Sequence, residues 1–445
     1  MEKTPNAFLF SMPRLFTSML IGFVDFALLF LYDSGYGLDP LYIGSSLFLG
    51  KISIAFFQFF FGWVSDQTTT KIGRRKPYII AFSPLMSLSF ICLLLPGVFL
   101  GSTTGGVPMF IWFASFNFLF QGLYGMLTAY QSWLAELFPV QQRPKVSMIQ
   151  NILNFSGTSI TALFTMVVLT DLEDLLKVDP SAIPTNFLVS TITVAILVTV
   201  FLYTTAFIMP VEKMEPIQTN MKEDFLNLIR DKNFLKVTLM IGLASFAWSM
   251  IGQYMLSYTE EVLGLGGFQF YIAAGLIIVM TIVSVILWRK LITKIGKKKP
   301  LLILLGMAAF IMLFSLFGLI PLSNYFIFGS IFVAGIGLSL GAWNIYPYLI
   351  YADLAEDSQK RGKGTIKAGI YAGFPSIALN LFQAVSLFIA GVILKLPDYG
   401  FVVGSKSIGY VLWGPITSVV LIITLFYSRK YIELDFSWER SHKTE

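Results

Sequence analysis

Two ionisable side chains stand where an apolar run should exclude them. Asp25 lies in FLFSMPRLFTSMLIGFVDFALLFLY, and Lys51 lies in LYIGSSLFLGKISIAFFQFFF. Each run is long enough to cross about 30 Å of hydrocarbon as a helix. At 1.5 Å per residue both groups sit about 12–14 Å from the outer ends of their runs, near the bilayer middle. At one depth on antiparallel helices they could pair, at less cost than either alone. A buried carboxylate biased by a neighbouring ammonium can take up and release a proton. The pair can equally be static, or Lys51 can snorkel toward water, and the residue types leave both open.

Polar residues recur at helical spacing elsewhere. Asn117, Gln121, Tyr124 and Thr128 fall on one helix face, and Gln150, Asn154, Thr158 and Thr161 on another. Trp248 clusters with Gln253; Trp343, Asn344 and Tyr346 precede Pro347; Asn380 shares a face with Gln383. Amides and hydroxyls offer paired hydrogen bonds to a polyol, and Trp and Tyr offer flat apolar faces to sugar C–H groups. A neutral, amide-rich lining favours an uncharged sugar over an organic anion. Each stripe can also be glue between helices, because a polar face turned to lipid is costly.

No enzyme constellation accompanies these groups. His442 is the only histidine and Cys92 the only cysteine, so an intramolecular disulfide is excluded, and there is no metal-ligand spacing, phosphate loop or serine nucleophile motif. Neither a metal nor an organic cofactor is expected.

The elements that must position these residues are membrane helices. The 445-residue chain is 56% hydrophobic and 13% charged, with 43 Phe and a net charge of +6. A soluble domain carries about a quarter charged residues. Twelve spans are expected, at roughly 8–32, 42–64, 78–100, 108–137, 147–170, 187–210, 236–258, 268–288, 301–320, 326–352, 367–394 and 409–427. The expected fold is all-α: a six-helix bundle over 1–210, a linker over 211–235, a second bundle over 236–428 and a tail over 429–445. Lys and Arg gather on the side that holds both ends of the chain, leaving Lys177, Lys395 and Lys406 opposite, which places both termini in the cytoplasm. The start, MEKTPNAFLF, does not read as a cleavable signal. The positive charge sits in short loops between spans, so lipid headgroups rather than nucleic acid are its expected partners.

One basic phrase occurs twice, TKIGRRKP from Thr70 and TKIGKKKP from Thr293, with six of eight residues identical. A second echo joins WLAELFPVQQRPK (133–145) to YADLAEDSQKRGK (351–363). Two echoes at matching positions imply two parallel six-helix repeats. Gly73 suits a tight turn. Arg74, Arg75 and Lys76 can meet lipid phosphates, with Asp66 in reach. Glu136 and its counterpart Asp353 are expected beside Arg143 and the other loop bases. Such a cluster can form in one conformation and break in another, or it can serve topology alone.

These residues carry a resemblance. GWVSDQTTTKIGRRKPYII is similar to the loop after helix II in the glycoside–pentoside–hexuronide:cation symporters of the major facilitator superfamily, the melibiose-carrier group, and to the same loop in the sucrose transporters. AYQSWLAELFPVQQRPK and YADLAEDSQKRGKGTIKAGIYAGF resemble the ends of helices IV and X–XI in that family. The resemblance implies a carrier working by alternating access around a site at the repeat interface. It also exposes departures. The family's two helix II Asp fall at Gln58 and Ile54, its helix XI Lys at Asn380, its helix IV Asp near Leu127 and its helix V Arg near Gln150. The family's Na⁺ site is therefore incomplete, while Gln58 matches the sucrose-transporter pattern. The expectation is a monomeric plasma-membrane carrier of a neutral sugar or glycoside, coupled to protons through Asp25, Lys51 and Gln58. A uniporter and a carrier of lysolipids or other amphiphiles are the alternatives; a sensor would need a cytoplasmic domain that the sequence does not show.

Overall fold

The computed structural model describes residues 5–101, 105–139, 142–179, 181–211, 230–320, 322, 324–343, 345–346, 350, 354, 368–398 and 407–434. Apolar runs become helices because only a helix satisfies its own backbone in hydrocarbon. The long helices are α1 (Ala7–Phe26, with a turn at Met12), α2 (Pro40–Gln67), α3 (Lys76–Leu94), α4 (Gly106–Tyr124, continued as Leu127–Leu137), α5 (Arg143–Val178), α6 (Thr185–Ile208), α7 (Lys232–Ser257), α8 (Gly267–Ile295), α9 (Lys298–Met312), α10 (Phe326–Trp343), α11 (Ala368–Leu394) and α12 (Gly409–Tyr431). Among the described residues, eleven stretches are long and apolar enough to cross a membrane. The remaining helix, α5, has 36 residues and carries charges at both ends. All twelve expected spans thus coincide with helices.

The chain divides into two compact units, Met1–Gln218 with Leu387–Val392, and Thr219–Ser386 with Ile393–Glu445. The helix pairings of the first unit recur in the second. In the first, α2 packs on α4, α3 on α4 and α6, and α1 on α5 and α6. In the second, α8 packs on α10, α9 on α10 and α12, and α7 on α12. The Ser386 hydroxyl donates to the Phe246 carbonyl at 2.8 Å, joining α11 to α7 as α5 joins α1.

Several spans are less continuous than the sequence implies. Span one breaks at Ala27 and ends in a π-turn, Leu31–Gly35. Span three stops at Leu95, because a residue before proline disfavours helical geometry, and Pro96 starts a separate turn. Span four is interrupted at Gly125 and Met126. A Cβ on Gly125 would lie 2.8 Å from the Gln58 backbone nitrogen, and one on Gly122 would lie 2.6 Å from Ser53 Oγ. This close approach of α4 to α2 needs both glycines.

Two turns repeat between the units. Gly73 and Gly296, the glycines of the duplicated octapeptide, both have positive φ, +107° and +85°. The structure shows a further echo. The π-turn Leu31–Gly35 has a counterpart at Tyr258–Val262. Tyr36 N–H donates to Leu31 and Leu38 N–H to Tyr32; Leu263 N–H donates to Tyr258 and Leu265 N–H to Thr259. Gly37 and Gly264 follow each turn at φ +63° and +60°. Its signal in the sequence is an acid followed by Gly-Leu, Asp33 with Gly37-Leu38 and Glu260 with Gly264-Leu265.

Candidate functional site

In the first unit the two intramembrane charges meet. Lys51 Nζ lies 3.1 Å from Asp25 Oδ1. Asp25 is in the last turn of α1, just before the break at Ala27, and Lys51 is in α2. The Lys51 side chain is 6% exposed and that of Asp25 42%. The lysine therefore lies against the protein, and the carboxylate is only partly buried. Gln58 lies two turns further along α2, half-buried.

The polar stripe of α4 is buried. Asn117 is fully buried and its Nδ2 donates to the Ser46 carbonyl at 2.8 Å, in a space left by Gly50. Gln121 is fully buried with neither amide atom partnered among the described residues, as is Asn117 Oδ1. Tyr124 is buried beside Phe120.

The stripe of α5 faces α1. The Ser18 hydroxyl donates to the Asn154 side chain at 2.5 Å, and the Thr161 hydroxyl to the Met19 carbonyl at 3.1 Å. A Cβ on Gly157 would overlap the Leu15 carbonyl. Gln150 Nε2 donates to the Tyr130 hydroxyl at 3.3 Å, which itself donates to the Phe10 carbonyl. Asn154 and Gln150 thus tie α5 to α1 and α4, as glue between small-residue surfaces.

In the second unit, Trp248 of α7 and Trp343 of α10 stack with ring centroids 6.0 Å apart and planes 24° apart. Trp248 Nε1 is a buried donor without a partner among the described residues, a group a ligand hydroxyl could engage. Gln253 and Asn380 are buried on α7 and α11. Tyr346 is committed elsewhere, its hydroxyl donating to the Lys297 carbonyl in the duplicated turn at 3.1 Å. Asn344 and Asp353 lie outside the described residues.

The charge cluster after α2 is a compact network. Arg75 pairs with Asp66 and, at 2.6 Å, with Glu136, and its Nη1 donates to Ser65 at 2.5 Å. Arg74 reaches Glu136 at 2.7 Å. Burial opposes the Arg75 charge, but the hydrogen bond to Glu136 and the nearby Asp66 and Glu136 carboxylates outweigh it, holding the guanidinium above its ordinary value. Lys76 donates to the Met209 carbonyl at 2.7 Å, neutralising the C-terminal end of α6, and lies 5.6 Å from the Trp133 ring centroid. The expectation that these bases meet lipid phosphates is corrected: Arg74, Arg75 and Lys76 are 6%, 3% and 7% exposed. Asp66 and Glu136 are among the expected partners; Ser65, the Trp133 ring and the Met209 carbonyl are not. Gly73 makes the turn that presents them; Arg143 opens α5.

Comparison with known proteins places this geometry. Among curated protein sequences none matches the chain. Solved structures share its fold at low identity. A mutant form of the nucleoside transporter NupG aligns at TM-score 0.66 and 12% identity, covering 96% of this chain and 100% of that one. A D-xylose-proton symporter aligns at 0.66 and 14%, covering 96% and 98%. The xylose transporter XylE from E. coli, in an inward-open conformation, aligns at 0.64 and 14%, covering 97% of each. The family model described as MFS/sugar transport protein matches residues 9–428. With almost the whole chain inside that match, the protein belongs to the MFS/sugar transport protein family and is a multi-pass membrane transporter, not an enzyme.

Proposed function

We propose that this transporter carries a neutral sugar or glycoside by alternating access, with proton symport through Asp25. The observation that carries the reading is the Asp25–Lys51 pair, a partly exposed carboxylate held at 3.1 Å by a buried ammonium. A proton carried on Asp25 would remove the charge attraction across this pair and leave the Lys51 ammonium to be compensated elsewhere. A cycle that alternates these states links proton movement to conformation. The stacked indoles of Trp248 and Trp343, with the open Nε1 donor, support a sugar ring as the companion ligand. The cytoplasmic end carries both termini and the Arg74–Arg75–Glu136–Asp66 network, which acts as a latch; the protein works as a monomer in the plasma membrane.

The second reading is a uniporter, favoured by Gln58 and Ile54 standing where the resembling symporters carry carboxylates. Liposomes enclosing a pH-sensitive dye separate the two. Neutral sugars are added outside to wild type and to Asp25→Asn. Luminal acidification by one sugar, abolished in the variant, supports symport. Sugar entry with no pH change in either protein selects the uniporter.

A further inference from the structure

The second unit has a polar cavity of about 350 Å³, lined by Arg230, Asp231, Lys232, Lys236, Tyr431 and Glu433. It lies where α7 begins and α12 ends. The membrane-crossing stretches Lys232–Met255 and Gly409–Tyr431 start and stop at its rim, so the cavity sits at headgroup height. Arg230, Lys232 and Lys236 are exposed, and none makes an ion pair among the described residues. Arg74, Arg75 and Lys76 after α2, by contrast, are buried and engaged by Glu136, Asp66 and the Met209 carbonyl. Asp231 is engaged as the N-cap of α7, its carboxylate accepting from Asn233 N–H at 3.0 Å and Phe234 N–H at 3.3 Å. The α7 N-terminus is therefore already capped, and binding of an anion there falls to the side chains. After α12 the chain turns back, burying Ile432 and Leu434 completely and leaving Glu433 exposed at the cavity edge. That anchoring gives the cavity a fixed wall.

We propose that this cavity binds the phosphodiester headgroup of an anionic phospholipid. Arg230, Lys232 and Lys236 hold the phosphate oxygens and the Tyr431 hydroxyl is a further donor at the rim. Glu433 opposes the anion and limits the affinity.

The test uses purified full-length protein in neutral detergent and measures retention of labelled phosphatidylglycerol, with phosphatidylcholine as the zwitterionic comparison and glycerol 3-phosphate as a soluble competitor. Variants are Arg230→Ala/Lys236→Ala, the control pair Lys294→Ala/Lys299→Ala on exposed bases outside the cavity, and Glu433→Gln. The expected result is preference for phosphatidylglycerol, loss of about tenfold or more in affinity in the cavity pair, and a loss of less than about threefold in the control. Glu433→Gln binds more tightly, a gain that misfolding cannot produce. Equal losses in both pairs would reduce the effect to general surface charge and overturn the proposal. Equal retention of both lipids, or weaker binding by Glu433→Gln, overturns it as well. Full displacement by millimolar glycerol 3-phosphate assigns the site to soluble phosphates instead and overturns the lipid as occupant.

Discussion

The ammonium of Lys51 lies 3.1 Å from Asp25 Oδ1, and the two ends of this pair occupy different environments, 6% exposed on the lysine side and 42% on the aspartate side. Asp25→Asn leaves a buried ammonium without its carboxylate. Partial exposure at position 25 moderates the cost, and a loss of about 1–3 kcal/mol is expected in a melting measurement. Asp25→Asn/Lys51→Met removes both charges and recovers most of that stability. Proton movement does not return in the double variant. A double variant as unstable as the single one shows that the stranded ammonium is not the source of the loss.

The two stacked indoles give a prediction for the substrate. Trp248→Ala and Trp343→Ala each raise the transport KM by about tenfold or more, as the loss of a buried aromatic contact does. The double variant loses less than the sum, because each ring is the other's support. Trp248→Phe keeps the stack and loses the Nε1 donor, so it separates ring contact from hydrogen bonding. Unchanged KM in all four variants moves the binding site away from these rings.

Arg75 tests the network after α2. Arg75→Lys keeps a charge and loses the fork that spans Asp66, Glu136 and Ser65, costing about 1–2 kcal/mol. Arg75→Ala leaves Glu136 to Arg74 alone and takes the guanidinium from Asp66, costing about 3 kcal/mol. The folded guanidinium is held above its ordinary value, so its stabilising effect is complete at every pH below that value and fades only as pH climbs through the folded one. The melting difference between wild type and Arg75→Ala should therefore be flat from about pH 6 to about pH 9. A difference that shrinks toward pH 9 would contradict this.

Glycines fail for two different reasons here. Gly157→Ala drives a methyl into the Leu15 carbonyl and separates α5 from α1, costing about 3 kcal/mol. Gly264→Ala meets nothing within 4 Å but must hold φ +60°, costing about 1 kcal/mol. Comparable melting temperatures for the two variants would show that α1 and α5 can move apart freely.

Hydrophobic runs located the helices because lipid accepts little else, and the same rule singled out Asp25 and Lys51. The interruptions at Ala27 and Gly125 were not legible. Alanine is a good helix former, and the need for Gly125 lies in the Gln58 backbone of another helix. The α5 stripe was legible as a polar face, but its partner was not, since Ser18 and Asn154 are 136 residues apart. At 74–76 the charge cluster with Asp66 and Glu136 was legible, but the burial of the bases and the Met209 carbonyl that takes Lys76 were not.

The matched π-turns at Leu31–Gly35 and Tyr258–Val262 each hold one more residue than an α-helical turn would. Deleting a single residue from either would let the helix run on in α geometry and rotate everything beyond it by about 100°. In the first unit this would swing Tyr36 and the α2 cap Asp39 off their partners; in the second it would displace Leu263 and Leu265. A spare residue of this kind acts as a phase setter: it fixes the angular register of each following helix independently of the membrane depth that the helix reaches.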